Sequence, residues 1–301
     1  MYLIDEPAAV FRSVGVIRVT GGDRLAYLHT QLSQNLEGLA PGDAADFLYL
    51  DAKGAPRAVG RAIAADDAVL LVVPAEIGAD LAQTLDSYTF LMDAGAELVE
   101  GWVRASARGP EGVHVEDSPD EPMRAAVASD LVIVRDRSGG VDWIGTPTAV
   151  EGAVIATGLP VADEDAWEAW RVHAGEPAWG SDIVTGRRAQ ELGLLPTHVH
   201  LRKGCYPGQE SIAKTYNLGR PRRALFVVTF DGSVGSGDRV QAGEKEGEVT
   251  SAAATADGWL ALCLLPLDRE GAPLGDGELT VGDVKGRIAR RVGEGLAQPG
   301  A

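Results

Sequence analysis

The chain has 301 residues and a formal net charge of −17. An apolar share of 45 % with 24 % charged residues excludes a disordered chain and suits two or three compact units. So acidic a protein repels phosphate backbones and anionic headgroups, which disfavours direct nucleic-acid binding and membrane docking; no apolar run reaches the roughly 18 residues of a membrane span.

Residues 1–10 carry Asp5 and Glu6 and lack a basic start followed by an apolar run, so they do not read as a secretory signal. Residues 14–19 are rich in β-branched side chains and predict a strand, broken by Gly21-Gly22. Asp23 is placed to cap a helix presenting Leu25, Leu28, Leu32 and Leu36 on one face. Strands are expected at 47–50 and 58–64, around a turn at 51–54, and at 69–73. Pro74 then opens a helix with Ile77, Leu81, Leu85 and Tyr88 at helical spacing. Further strands are expected at 97–107, 131–134 and 141–144, with a helix over 148–157. This order predicts an α+β sandwich with helices on one face of a mainly antiparallel sheet.

A helix over 163–173, capped by Asp163 or Asp165 and ended by Gly175 and Pro177, leads into an irregular polar stretch at 179–202. After Arg223 the pattern changes to short strands at 225–230, 246–251, 259–264 and 284–290, separated by Gly-rich turns. That is the signature of a small β-barrel. The tail at 298–301 is expected to fray.

Lys203-Gly204-Cys205-Tyr206-Pro207-Gly208-Gln209-Glu210 stands apart. Two glycines and a proline force a loop, and a short helix is expected over 209–216. Arg202 and Lys203 precede Cys205, and cations and a helix start both favour a thiolate. Residue types alone leave two readings open, a reactive thiol and an inert turn cysteine. Cys263, inside an apolar strand, reads as an inert core thiol. Two cysteines in a chain this size call for no disulfide, so both are expected to be free in a reducing cytoplasm.

The octapeptide resembles the K-G-C-Y-x-G-Q-E signature of the YgfZ family, folate-binding relatives of the glycine-cleavage T-protein. Gly22-Asp23-Arg24, Leu28-His29, the run 32–35, Lys53-Gly54, the run 171–177, Glu191, Asn217 to Arg223 and the run 247–251 are similar to family segments in the same order. The resemblance implies a three-domain T-protein-like ring with a C-terminal β-barrel. Its first α+β domain would comprise residues 1–45 plus 158–220, the second residues 46–157, and the barrel residues 221–301. It further implies tetrahydrofolate, or a one-carbon derivative, in a central channel with Cys205 near its mouth. The role implied is in iron–sulfur cluster assembly or repair and cluster-dependent tRNA modification. Iron–sulfur client or assembly proteins would be the partners, with Cys205 contacting a cluster, a partner protein or a one-carbon adduct. Lys203, Gly204, Tyr206, Gly208, Gln209 and Glu210 would shape the thiol loop. Trp167, Trp170, Arg171, His173, Glu191 and Arg223 are the candidate cofactor-binding residues.

Three positions depart from the family pattern. Residues 54–59 hold no counterpart of the T-protein's catalytic carboxylate, and Arg57 would repel an ammonium group, which argues against aminomethyl transfer. His173 stands where the family's glutamate accepts two N–H bonds from the pterin; a neutral histidine accepts one. It serves either an altered pterin site or a plain helix end. Ala189 replaces a proline. From 187 to 223, eight Lys or Arg stand against two Glu, a local bias suited to a folate tail or to a solvated face. His198 and His200 alternate as on a strand, but with one distant cysteine they match no zinc spacing, and no metal is expected. The rival functions are a folate-dependent aminomethyltransferase and a scaffold that has lost folate.

Overall fold

A computed structural model describes residues 4–274 and 278–296; the tail at 298–301 lies outside them. In chain order the first half holds β1 (Ala8–Arg12), β2 (Gly15–Thr20), α1 (Arg24–Gln31), β3 (Ala44–Leu50), β4 (Pro56–Ala64), β5 (Ala68–Val73), α2 (Ala75–Ser87) and β6 (Gly95–Val99). Then follow β7 (Val103–Arg108), β8 (Ala125–Val127), β9 (Leu131–Arg135), β10 (Val141–Gly145), α3 (Pro147–Thr157), α4 (Glu164–Ala174), α5 (Leu195–His198) and α6 (Gln209–Leu218). The last third holds β11 (Arg223–Phe230), β12 (Arg239–Ala242), β13 (Lys245–Thr255), β14 (Gly258–Pro266), β15 (Glu278–Val281) and β16 (Val284–Arg291).

The first ten strands form two antiparallel sheets, ordered β3-β4-β5-β2-β6 and β1-β7-β10-β9-β8. Side chains alternate across a strand, and each sheet uses both faces. Ile17, Val19 and Leu71 pack outward against α1 and α2 through Tyr27, Leu28, Leu81 and Leu85. Val16, Leu70 and Val72 point the other way, onto Val132, Val134 and Ile144 of the second sheet. Val150 and Val154 of α3 cover that sheet's far side at Ala105 and Trp143. The result is four layers, helix–sheet–sheet–helix, rather than one sheet covered on one face.

The remaining strands close a barrel in the order β11-β14-β13-β12-β15-β16. Phe226, Val228, Val249, Ala261 and Cys263 fill its interior. The alternate residues Leu225, Val227, Leu262 and Leu264 pack outward against Val172 of α4.

Several expectations change. The strand over 97–107 is two strands in different sheets, because Gly101 (φ 74°) turns the chain between them. The helix after Asp23 ends at Gln31; Leu32 is extended, although Leu32 and Leu36 remain fully buried. Asp23 provides no cap, since its carboxylate accepts from the Asp93 N–H at 2.9 Å. No strand holds His198 and His200; His198 ends the short α5. Strands β1, β8, β12 and β15 carry no sequence signal long enough to separate them from loop. The boundary expected at residue 45 falls inside β3, which shares a sheet with β2, while β1 pairs with β7 in the other sheet. The N-terminal strands therefore serve both sheets.

Candidate functional site

The thiol loop lies between α5 and α6. Cys205 is exposed and unbridged, as is fitting for a thiol on a two-glycine turn. Gly208 is required there: it sits at φ 80°, and a Cβ would come within 2.5 Å of the Asp51 carbonyl. This docks the loop on the turn at 51–54, where the Ser211 hydroxyl also donates to the Lys53 carbonyl at 2.7 Å. Gln209 donates to the Lys203 carbonyl at 3.4 Å, Gly204 faces the His29 ring, and Glu210 is exposed.

Lys203 does not supply the charge expected beside the sulfur. Its side chain is buried, and its ammonium donates to the carbonyls of His29, Leu32 (2.5 Å) and Gln34 (3.1 Å). It thereby closes the C-terminal end of α1, with the Tyr206 ring 4.9 Å away. Burial lowers the ammonium to about 8, Glu37 opposing, and raises the Tyr206 phenol to about 12. Arg202 is exposed and is the cation left on the loop's surface. Replacing Lys203 with methionine should cost about 2–3 kcal/mol, by orphaning buried carbonyls. Urea denaturation checks this; a loss under about 0.5 kcal/mol would show that the carbonyls find other donors.

A cavity of about 730 Å³ lies where the two sheets, α4 and the barrel meet. That is within the range of small-molecule sites. Cys205 is not among its lining residues. The same stretch of chain leaves the cavity wall at Thr197 and His198 and reaches the surface at Cys205. Thiol and cavity are thus successive features of one segment, and the sulfur does not stand at the mouth as expected.

Of the candidate cofactor-binding residues, Trp167 and Arg171 line the cavity and Trp170, His173, Glu191 and Arg223 do not. Trp167 does not present a free face: the Arg12 guanidinium lies 4.0 Å over its ring, and Arg108 sits 5.4 Å from it and 5.1 Å from Trp170. Arg171 is a tether, paired with Glu168 and with Asp182 at 2.9 Å and donating to the Ser251 hydroxyl at 2.8 Å. His173 is exposed, its ring is shifted down by burial and by Arg290, and its carbonyl accepts from Arg290. Glu191 pairs with Arg223 at 3.3 Å and receives the Arg188 N–H, fastening the irregular stretch to the barrel. Arg187 likewise bonds the carbonyls of Ser181 and Asp182 and pairs with Glu248. The basic run is therefore divided among separate structural tasks and makes no single anion pocket. Arg57 is exposed and does not line the cavity.

The residues that dominate the cavity carry no motif. Arg61 of β4 donates to Asp46 (2.7 Å), Asp136 (2.8 Å) and Asp142 (3.4 Å). Arg104 and Arg108 of β7 pair with Asp142 at 2.8 and 3.0 Å, and Arg137 with Asp46 at 2.9 Å. Burial alone would raise these carboxyls, but Arg108 and Arg61 hold Asp136 far below the usual range. Arg104 and Arg108 do the same for Asp142, and Arg61 leads for Asp46. His198 beside them is kept neutral by burial, at about 4. Glu176, three residues past His173, also lines the cavity and has no ion pair among the described residues. The available signal was an Arg or Asp alternating with apolar residues on predicted strands, which marks inward polar positions only once two sheets are known to face each other.

Among the described residues no helix is long and apolar enough to cross a membrane, and no three His, Cys, Asp or Glu gather as metal ligands. No protein-family model matches the chain. Aminomethyltransferase T of the glycine cleavage system from Bartonella henselae superposes with a TM-score of 0.79 at 15 % identity, over 98 % of this chain and 88 % of that one. The chain thus has the three-part aminomethyltransferase fold, with α+β layers and a C-terminal barrel. A putative chloroplastic transferase of Arabidopsis thaliana is 26 % identical over 91 % of this chain and 68 % of its own length. The tRNA-modifying protein YgfZ of Colwellia psychrerythraea is 23 % identical over 71 % of this chain and 68 % of its own. Within the aminomethyltransferase fold, the chain is similar in sequence to YgfZ proteins.

Proposed function

We infer that this is a folate-site protein which supports iron–sulfur-dependent tRNA modification, working through the exposed thiol of Cys205 in a reducing cytoplasm. The observation that carries the reading is the separation of a pterin-sized cavity from a solvent-facing thiol on the signature loop. A cavity this size accepts a small heterocyclic ligand, and an exposed sulfur is reachable by a protein partner or a cluster. The donor set fits a folate. Glu176 offers acceptors to the N–H groups of an amino-pyrimidine edge. Arg290, whose guanidinium bonds the His173 carbonyl and pairs with no carboxylate among the described residues, lines the same cavity and can take an anionic tail. Tetrahydrofolate, when bound, supplies one-carbon chemistry; this chain's residues bind and orient it and limit water. The tRNA itself is not a direct ligand in this reading, because the net charge of −17 opposes it.

Cys205→Ala tests the thiol. The sulfur is exposed, so the variant should unfold within about 0.5 kcal/mol of wild type. In a strain lacking its own copy, it should fail to restore the cluster-dependent tRNA modification, read by mass spectrometry of hydrolysed tRNA. Full restoration would remove Cys205 from the function. Isothermal titration with tetrahydrofolate tests the cavity: saturable micromolar binding is expected, and none at millimolar ligand would favour the folate-free scaffold.

A further inference from the structure

Between the two sheets the buried donors outnumber their acceptors. Arg12, Arg61, Arg104, Arg108 and Arg137 meet Asp46, Asp136 and Asp142 on the cavity wall, five guanidinium groups against three aspartates. Arg61, Arg104, Arg108 and Arg137 each pair with an aspartate, and Arg12 does not. The Arg12 guanidinium lies 4.0 Å over the Trp167 ring, and the Glu164 carboxylate stands 4.0 Å from it, beyond hydrogen-bond reach. It makes no hydrogen bond among the described residues, although its side chain is 26 % exposed. Two more donors at the same ring lack an acceptor, the Arg108 Nε–H and the Trp167 Nε1–H, in residues 1 % and 2 % exposed. The Arg108 guanidinium is 5.4 Å from the ring centre. Buried donors are almost always paired, so three unpaired groups around one indole mark a place for an acceptor. The charges agree. Against the pull of burial, aspartates hold Arg61 and Arg108 above their ordinary value, whereas burial and then Arg104 push Arg12 down to about 10. Arg12 also lines a second cavity of about 770 Å³, between α4 and the barrel, so a small solute can reach it from that side too.

We propose that Arg12, with the Nε–H of Arg108 and the indole N–H of Trp167, binds the carboxylate of a small free monocarboxylic acid. The site goes beyond the folate reading and does not rest on it. A guanidinium edge presents paired N–H groups that match both oxygens of a carboxylate. The two single donors, from Arg108 and Trp167, suit the remaining lone pairs. The surroundings select the charge of the anion. Glu76, Glu164 and Glu176 line the neighbouring wall, so a dianion such as phosphate meets more repulsion than a monoanion. Arg290, assigned above to an anionic tail, stands on β16 of the barrel, whereas Arg12 ends β1. The two cations therefore serve different ligands.

The full 15N-labelled chain is titrated with acetate and with formate at constant ionic strength, and its arginine Nε–H and indole N–H resonances are followed. The Trp167 indole signal is identified by its loss in Trp167→Phe. In wild type that signal should shift saturably, with a dissociation constant of about 1–10 mM. Arg12→Met should weaken acetate binding about tenfold or more. Glu164→Gln, at a side chain 61 % exposed, removes the carboxylate that competes for Arg12 and should tighten binding about threefold. Inorganic phosphate should bind about fivefold more weakly than acetate, or not at all. Saturating tetrahydrofolate should leave the acetate shift in place. The proposal is overturned by any of four results: no saturable shift up to about 100 mM acid, wild-type binding in R12M, phosphate binding as tightly as acetate, or displacement of acetate by tetrahydrofolate. If R12M fails to fold, Glu164→Gln decides, tighter binding supporting the proposal and unchanged or weaker binding overturning it. Failure of tetrahydrofolate to bind would sink the folate reading alone, since the acetate arms are read without it.

Discussion

Arg61→Met should lower the unfolding free energy by about 3–5 kcal/mol, the range for removing one partner of a buried ion pair. Arg61 stands on one sheet and reaches Asp46 beside it and Asp136 and Asp142 across the cavity. Asp46 would keep Arg137, and Asp142 would keep Arg104 and Arg108. Asp136 would keep a single arginine, Arg108 at 3.7 Å, beside the N–H and hydroxyl of Ser138, so it carries most of the loss. The cost should shrink in the double variant with Asp136→Asn, which removes the stranded charge. Chemical denaturation of the single and double variants measures this; a loss under about 1 kcal/mol would mean that the remaining arginines suffice. The pH dependence has a fixed sign. All three carboxyls lie below their unfolded values, so their stabilisation is present in full above about pH 4 and is lost as pH falls from there toward the folded values. Removing Arg61 raises those folded values and should move acid unfolding to higher pH.

Asp182→Ala should be about as damaging, and in a different place. Asp182 is fully buried. It accepts from Arg171 at 2.9 Å, from the Ala178 N–H at 2.9 Å, from Ser251 at 2.9 Å and from the Thr250 hydroxyl. Arg171 belongs to α4, while Thr250 and Ser251 belong to β13, so one carboxylate fastens the barrel to the layers. Its loss leaves a buried guanidinium with Glu168 as its one remaining carboxylate among the described residues and removes acceptors from two barrel hydroxyls, a cost of about 3–5 kcal/mol. The barrel has its own interior around Phe226, Val228 and Cys263 and should outlast the junction. Calorimetry should therefore show one transition in wild type and two in the variant. A single, merely earlier transition would show that the apolar contacts of Val172 with Leu225 and Leu264 carry the junction.

Local rules served well where one residue decides. Gly175 ends α4, Asp163 caps it by accepting the Ala166 N–H at 2.9 Å, and alternating apolar residues gave the long barrel strands. The signature loop placed an exposed thiol at Cys205. Lys203 and Glu191 each meet a distant partner, the end of α1 in one case and Arg223 in the other, which no local pattern discloses. His173 is exposed and off the cavity, whereas Glu176, three residues on and past the helix-ending glycine, is one of the carboxyls that line it.

By itself the sequence determined the strand and helix inventory of the longer elements, the closed final barrel and the accessible cysteine, since each follows from side-chain periodicity or from a turn a few residues long. Only the tertiary structure decided that β1 and β2 part into different sheets, that thiol and cavity are separate, and that seven charged residues from four strands and one loop converge on one chamber. The physical reason is range. Periodicity and turn chemistry act over a few residues, whereas a buried carboxylate chooses its counter-ion by the distance left after two sheets have packed, and here that choice spans as many as 91 positions of chain.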